Sequence, residues 1–139
     1  VSEIILVARE WKARALLRAQ LLEEGHEVMA LPTIEEAMML LCRGMVRPRL
    51  IILDTVGQSL KEPILADLQA LAGDAPILVC TGPFDLARFD FKEAGLTDLL
   101  VRPFAIGDVV NAVREILGNE ATGNEATRDA NERRCSITC

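Results

Sequence analysis

Several apolar runs of this chain end on residues that can handle phosphate or metal. "LIILDT" (50–55) drives aliphatic residues into Asp54, "APILVCTG" (75–82) leads to Thr81, and "DLLVRPF" (98–104) leads to Arg102 and Pro103. The opening run, "IILVA" (4–8), is followed by Arg9 and Glu10. An acid, a hydroxyl and a cation gathered beyond the carboxyl ends of neighbouring strands would form a constellation placed where ligands and chemistry collect in a parallel sheet. A carboxylate buried without a partner is costly, so Asp54 needs a cation or a metal ion beside it. Each residue also has a plainer explanation alone, since an aspartate after a strand commonly forms a turn.

The elements that would position these residues alternate. Short aliphatic runs at 4–8, 26–31, 49–54, 75–81 and 98–101 read as strands, and continuous apolarity marks strands covered on both faces. Between them lie helical patterns. "EWKARALLRAQLLEE" has Ala13, Leu16, Leu17 and Leu21 at helical spacing and Gly25 to end it. "TIEE" offers a capping box from Thr33 and Glu36, opening a helix that runs to Gly44. Pro63 suits a first helical turn, predicting a helix over about 63–72. "LARFDFKEAG" predicts a fourth helix ending at Gly95, and "IGDVVNAVREIL" a fifth over 106–117. This alternation predicts an α/β fold: a doubly wound, five-stranded parallel sheet in the flavodoxin-like order 2-1-3-4-5, with helices on both faces. The strand ends then converge at one edge of the sheet.

Composition narrows the function. The 139 residues suit one domain, 1–117, and the remainder, 118–139, reads as a tail in which "GNEATGNEAT" repeats and large apolar residues are scarce. A net charge of −6 argues against nucleic acid as a partner, and the clusters Arg43, Arg47, Arg49 and Arg133–Arg134 read as solvated surface. No apolar stretch is long enough to span a membrane and no secretory signal opens the chain, so a cytoplasmic protein is expected. The four cysteines read as reduced thiols. Cys42 lies in a helical pattern and Cys80 in an apolar strand, where cysteine behaves as a small hydrophobe, while Cys135 and Cys139 lack the further ligands a zinc site needs. His26 is expected in an exposed turn, and Trp11 as a packing or surface aromatic.

In its segments and their order, residues 4–117 resemble the receiver domain of response regulators of two-component systems. "PRLIILDT" resembles the strand that presents the phosphoacceptor, which implies that role for Asp54. "APILVCTG" resembles the next strand, with Thr81 at the hydroxyl that reports phosphorylation. "AGLTDLLVRPF" resembles the last strand and its cis-proline turn at Pro103, with Arg102 where the family has lysine. The resemblance implies phosphorelay signalling, no enzymatic turnover, and a histidine kinase or another signalling protein as partner. It also implies contact, including a homodimer, through the face from the fourth to the fifth helix. Phe84, Phe89 and Phe91 lie in or beside that fourth helix, where an exposed one could anchor an interface.

The departures bear on mechanism. The family's adjacent acids, which hold magnesium, fall on Ala8 and Arg9, and Glu10 is a substitute acid one residue late. The switch aromatic falls on Leu99, and "TVGQS" replaces the loop after the phosphoacceptor. Asp54 and Glu10 against Arg9 and Arg102 sum to zero formal charge, which offers magnesium little. No metal or other cofactor is therefore expected, unless Glu10 and Asp54 together form a magnesium site. Arg9 is expected within hydrogen-bonding reach of Asp54, with Arg102 a second candidate for the same carboxylate. Two functions follow: a receiver whose phosphorylation on Asp54 is weak or absent, or a pseudo-receiver that binds partners without phosphorylation. A third, a small flavin- or nucleotide-binding protein, is disfavoured because "ARE" is no phosphate cradle.

Overall fold

A computed structural model describes residues 3–122 of the chain, with side chains described through residue 118. Five parallel strands form one sheet: β1 (Ile4–Val7), β2 (Val28–Leu31), β3 (Leu50–Asp54), β4 (Ile77–Thr81) and β5 (Asp98–Val101). Their order is β2-β1-β3-β4-β5, as the sequence predicts. The helices are α1 (Trp11–Glu23), α2 (Ile34–Cys42), α3 (Glu62–Ala72), α4 (Pro83–Arg88) and α5 (Ile106–Thr122).

Strand alternation divides the core in two. Ile5, Val7, Ile51, Leu53, Ile77 and Val79 face one side and pack with Ile34, Ala37, Leu65, Leu68, Phe89 and Phe91. Ile4, Leu6, Leu50, Ile52, Leu78 and Cys80 face the other side and pack with Leu21, Val109, Val113 and Leu117. Because β1, β3 and β4 are covered on both faces, every residue in them except the terminal Asp54 is buried. This period of two decides the site, since neighbouring residues at a strand end serve opposite faces.

Two boundaries and one buried position differ from the sequence reading. The fourth helix is expected to end at Gly95 but spans only Pro83–Arg88. Phe89 then turns extended and, with Phe91, is buried in the core. Those two phenylalanines follow the demands of the core rather than a helical face. α5 continues past Leu117 to take in the first "GNEAT" unit, because nothing in those residues breaks a helix as proline would. Leu16, expected on the packed face of α1, is 60% exposed, and Leu21 is the buried residue of that helix. The remainder of the tail, with Cys135 and Cys139, lies outside the described residues.

Candidate functional site

Asp54 ends β3 on the side of the sheet shared with Ile52 and Cys80, its β4 register partner. Its Oδ2 accepts a hydrogen bond from Arg102 Nη2 at 2.6 Å, and its Oδ1 accepts from the Val56 N–H at 3.1 Å. The side chains are 15% and 35% exposed, so the pair is partly shielded from water. β5 aims Arg102 here: its N–H donates to Thr81 O at 2.8 Å, and the guanidinium lies 4.9 Å from the centre of the Phe104 ring. The Arg102–Pro103 bond is cis. Arginine stays charged at any physiological pH and holds a carboxylate more directionally than lysine does.

Ala8 and Arg9, where the sequence reading expected the metal-binding acids to be replaced, behave differently from each other. Ala8 is buried and its N–H donates to Leu31 O. Arg9, expected at Asp54, makes no hydrogen bond or ion pair with it; its side chain is exposed, with Cβ and Cγ beside Gly57. That approach exploits the missing side chain and positive φ of Gly57. Glu10 is the N-cap of α1, accepting from the N–H groups of Lys12 at 3.2 Å and Ala13 at 2.6 Å. Those two bonds, led by the one from Ala13, lower its pKa below the ordinary value.

This donor set does not fit magnesium. The ion is held through carboxylates and dehydrates reluctantly. Here Asp54 is engaged by a cation, Ala8 has no side-chain ligand atom and its carbonyl accepts from Arg14 Nη1 at 2.7 Å, and Glu10 is committed to helix capping. Among the described residues, no group of three or more His, Cys, Asp and Glu side chains could hold a metal ion.

Thr81 lies at the same edge of the sheet but on the other face, fully buried. Thr55 Oγ1 sits 2.8 Å from Thr81 Oγ1 and 2.9 Å from Asp85 Oδ2. A hydroxyl has one proton, so giving Thr55's proton to the carboxylate leaves its lone pairs to accept from Thr81. Thr81 thereby links through Thr55 to α4, and no hydrogen bond joins it to Asp54. Thr55 and Asp85 are absent from the sequence reading. Alternation could have flagged Thr55, since the residue after Asp54 must face the Thr81 side. Gln58 is another such residue, tying the loop after β3 to the Ile34 N–H and to Pro32 O.

The remaining candidates separate clearly. Phe84 is 73% exposed on α4, whereas Phe89 and Phe91 are buried. Leu99 packs against the core beside α3 and α4. His26 is not an exposed turn residue: it is half-buried, with Nδ1 3.7 Å from Glu3 Oε1. Cys42 is exposed rather than packed, because it falls in the last turn of α2. Cys80 is buried, and desolvation, with Asp54 beside it, pushes its thiol pKa up to about 12.

No family model and no curated protein matches the chain. Solved structures do. A CheY-like response regulator receiver domain protein from Methanospirillum hungatei JF-1 superposes with a TM-score of 0.75 at 17% identity, covering 89% of this chain and 99% of that one. The receiver domain of the Francisella response regulator 1452 gives 0.69 at 15% identity, covering 86% and 98%. NtrX from Brucella abortus gives 0.74 at 21% identity, covering 91% of this chain and 29% of the longer NtrX chain. At these identities the likeness is one of fold: the chain has the flavodoxin-like fold of response regulator receiver domains. No described helix is long and apolar enough to cross a membrane.

Proposed function

We propose that this chain is a receiver-type signalling module of the two-component class that acts through protein contact, with phosphorylation of Asp54 weak or absent. The observation that carries this reading is the Arg102–Asp54 ion pair at 2.6 Å, formed where the acid-pair positions hold Ala8 and Arg9. Phosphoryl transfer to a carboxylate needs its oxygen free and the developing charge neutralised. Here that oxygen is already occupied, and the donor set for a metal is incomplete. The module carries out no turnover chemistry of its own and works in the cytoplasm. Its partner is a histidine kinase or another signalling protein. Exposed Phe84 and Leu86 on α4 and Val101 at the end of β5 supply an apolar contact surface.

A second reading keeps Asp54 as an efficient phosphoacceptor. Its position at the carboxyl end of the central strand, with a cation adjacent, favours it. Incubation with a small phosphodonor and magnesium, followed by intact-mass measurement, separates the two. Little or no added phosphoryl mass is expected. Near-complete modification that disappears in Asp54→Asn would refute the proposal in favour of the second reading.

A further inference from the structure

α1 covers the sheet with little of itself. Of its thirteen residues only Leu21 is buried, although the helix carries four leucines and a tryptophan. Trp11, Leu16 and Leu22 are 63%, 60% and 42% exposed. Each residue of a helix turns about 100° from the last, so exposed Ala15 and Ala19 hold the centre of the face turned away from Leu21. Trp11 and Leu22 stand on one flank of that face. Leu16 stands on the other, beside the seam between α1 and α5. The two ends of the face carry opposite charges, Lys12 in the first turn and Glu23 in the last. Neither has an ion-pair partner among the described residues, whereas the adjacent Glu24 pairs with Arg114.

We propose that this face of α1 pairs with the same face of a second copy of the chain, the two helices antiparallel about a two-fold axis. An interface of that symmetry must be complementary to itself. Antiparallel pairing about Leu17 sets Ala15 opposite Ala19 of the other copy, and small side chains there let the helices approach closely. Trp11 then lies beside Leu22 of the other copy, and Lys12 beside its Glu23, each contact occurring twice. A parallel pair would set Lys12 against Lys12 and Glu23 against Glu23, so charge selects the antiparallel one. Opposed helix dipoles favour it too. A partner helix of uniform charge, acidic or basic, would meet its own sign at one end of the face. One helix face is smaller than a standard interface of about 1,600 Å², so the dimer is weak, with a Kd of about 100 μM. Leu21 anchors α1 on the opposite side of the sheet from Phe89, which follows α4, so this inference stands apart from the α4 surface and from whether Asp54 is phosphorylated.

Sedimentation equilibrium of the full chain from about 10 μM to about 1 mM brackets that affinity. Reducing conditions keep exposed Cys42 from cross-linking copies. The mass should rise from that of one chain toward that of two. Lys12→Glu and Glu23→Lys each turn two attractions into two repulsions and should weaken association about tenfold. Both substitutions suit the helix dipole, so the fold should survive, which thermal melts verify. Mixing the two variants, or joining both substitutions in one chain, restores opposite charges and should return association to within about threefold of native. Trp11→Ala removes a contact from each copy and should weaken association at least about thirtyfold. A chain that stays monomeric throughout overturns the inference and leaves the face to a different partner. Association that both charge reversals leave unchanged overturns it, as does a loss that mixing fails to rescue. Association abolished by Phe84→Ala but indifferent to the reversals overturns it too, and assigns self-pairing to α4.

Discussion

Arg102→Met removes the guanidinium that faces Asp54 while leaving an apolar stem beside Phe104. Its cost can be worked from the pair's surroundings. Exposed ion pairs contribute up to about 1 kcal/mol, whereas removing one partner of a buried pair costs about 3–5 kcal/mol. Asp54 is 15% exposed and Arg102 35%, so solvent screens the pair in part and about 2 kcal/mol is expected. Loss of the guanidinium 4.9 Å from the Phe104 centroid adds about 0.5 kcal/mol. In an Asp54→Asn background the same substitution strands no charge, and about 1 kcal/mol should be lost. The coupling energy is the difference, about 1.5 kcal/mol. Urea unfolding of the four proteins in the cycle, analysed with a common m-value, measures it. Coupling under about 0.5 kcal/mol would be that of an ordinary surface pair and would refute the argument that Arg102 holds Asp54.

Other consequences are simpler to read. Ala8→Asp together with Arg9→Asp supplies two carboxylates beside Asp54, so calorimetry should record magnesium binding in this variant and none in the native chain; absence of binding in both would mean that Arg102 alone excludes the ion. Cys80 stays protonated and covered, since burial holds its pKa near 12, so a thiol reagent at mild alkaline pH should label Cys42 and spare Cys80 until the chain unfolds. Peptide mapping checks this, and equal labelling of the two would contradict the packing of β4. Glu10 has a lowered pKa in the fold, so its capping contribution is present above the ordinary value of 4.5 and lost as pH falls through the lower folded value. The stability gap between native chain and Glu10→Gln, followed by thermal melts, should therefore close under acid conditions and persist at neutrality.

Strand order and the place of Asp54 were legible because central strands need continuous aliphatic runs, and those runs in β1, β3 and β4 are unambiguous. The helices were less so. Phe89 and Phe91 sit in a segment that reads as helix, yet both leave α4 to fill the core from an extended and turning chain. Leu16 has helical spacing with Leu17 and Leu21 but finds no partner to bury it, because the residues facing it across the seam do not close the gap. Within the site, the closeness of Arg102 to Asp54 was readable from two strand ends. Arg9 was not: its backbone register with the acid pair says nothing about a side chain that leaves beside Gly57. Glu10 carried a capping signal that competes with any metal role, because a carboxylate just before a helix finds free N–H groups at once.

The substitutions around Asp54 reinforce one another. With no carboxylate at positions 8 and 9, little negative charge is present to bring a dication to Asp54, and Arg102 is its direct partner. A phosphoryl group arriving on Asp54 would have to displace Arg102 Nη2 from Oδ2. It would also need the Thr81 hydroxyl to abandon Thr55 if that hydroxyl were to contact it, and with it a hydrogen-bonded chain that ends on Asp85 at the start of α4. Breaking a buried hydroxyl pair costs about 1 kcal/mol or more. Each change alone could be tolerated by a phosphorylated receiver. On the proposed reading, these arrangements together raise the cost of transfer to Asp54 and hold the Thr81 hydroxyl away from it. On that reading, the exposed apolar faces, where Phe84 and Leu16 stand in solvent, are the more accessible route to a partner.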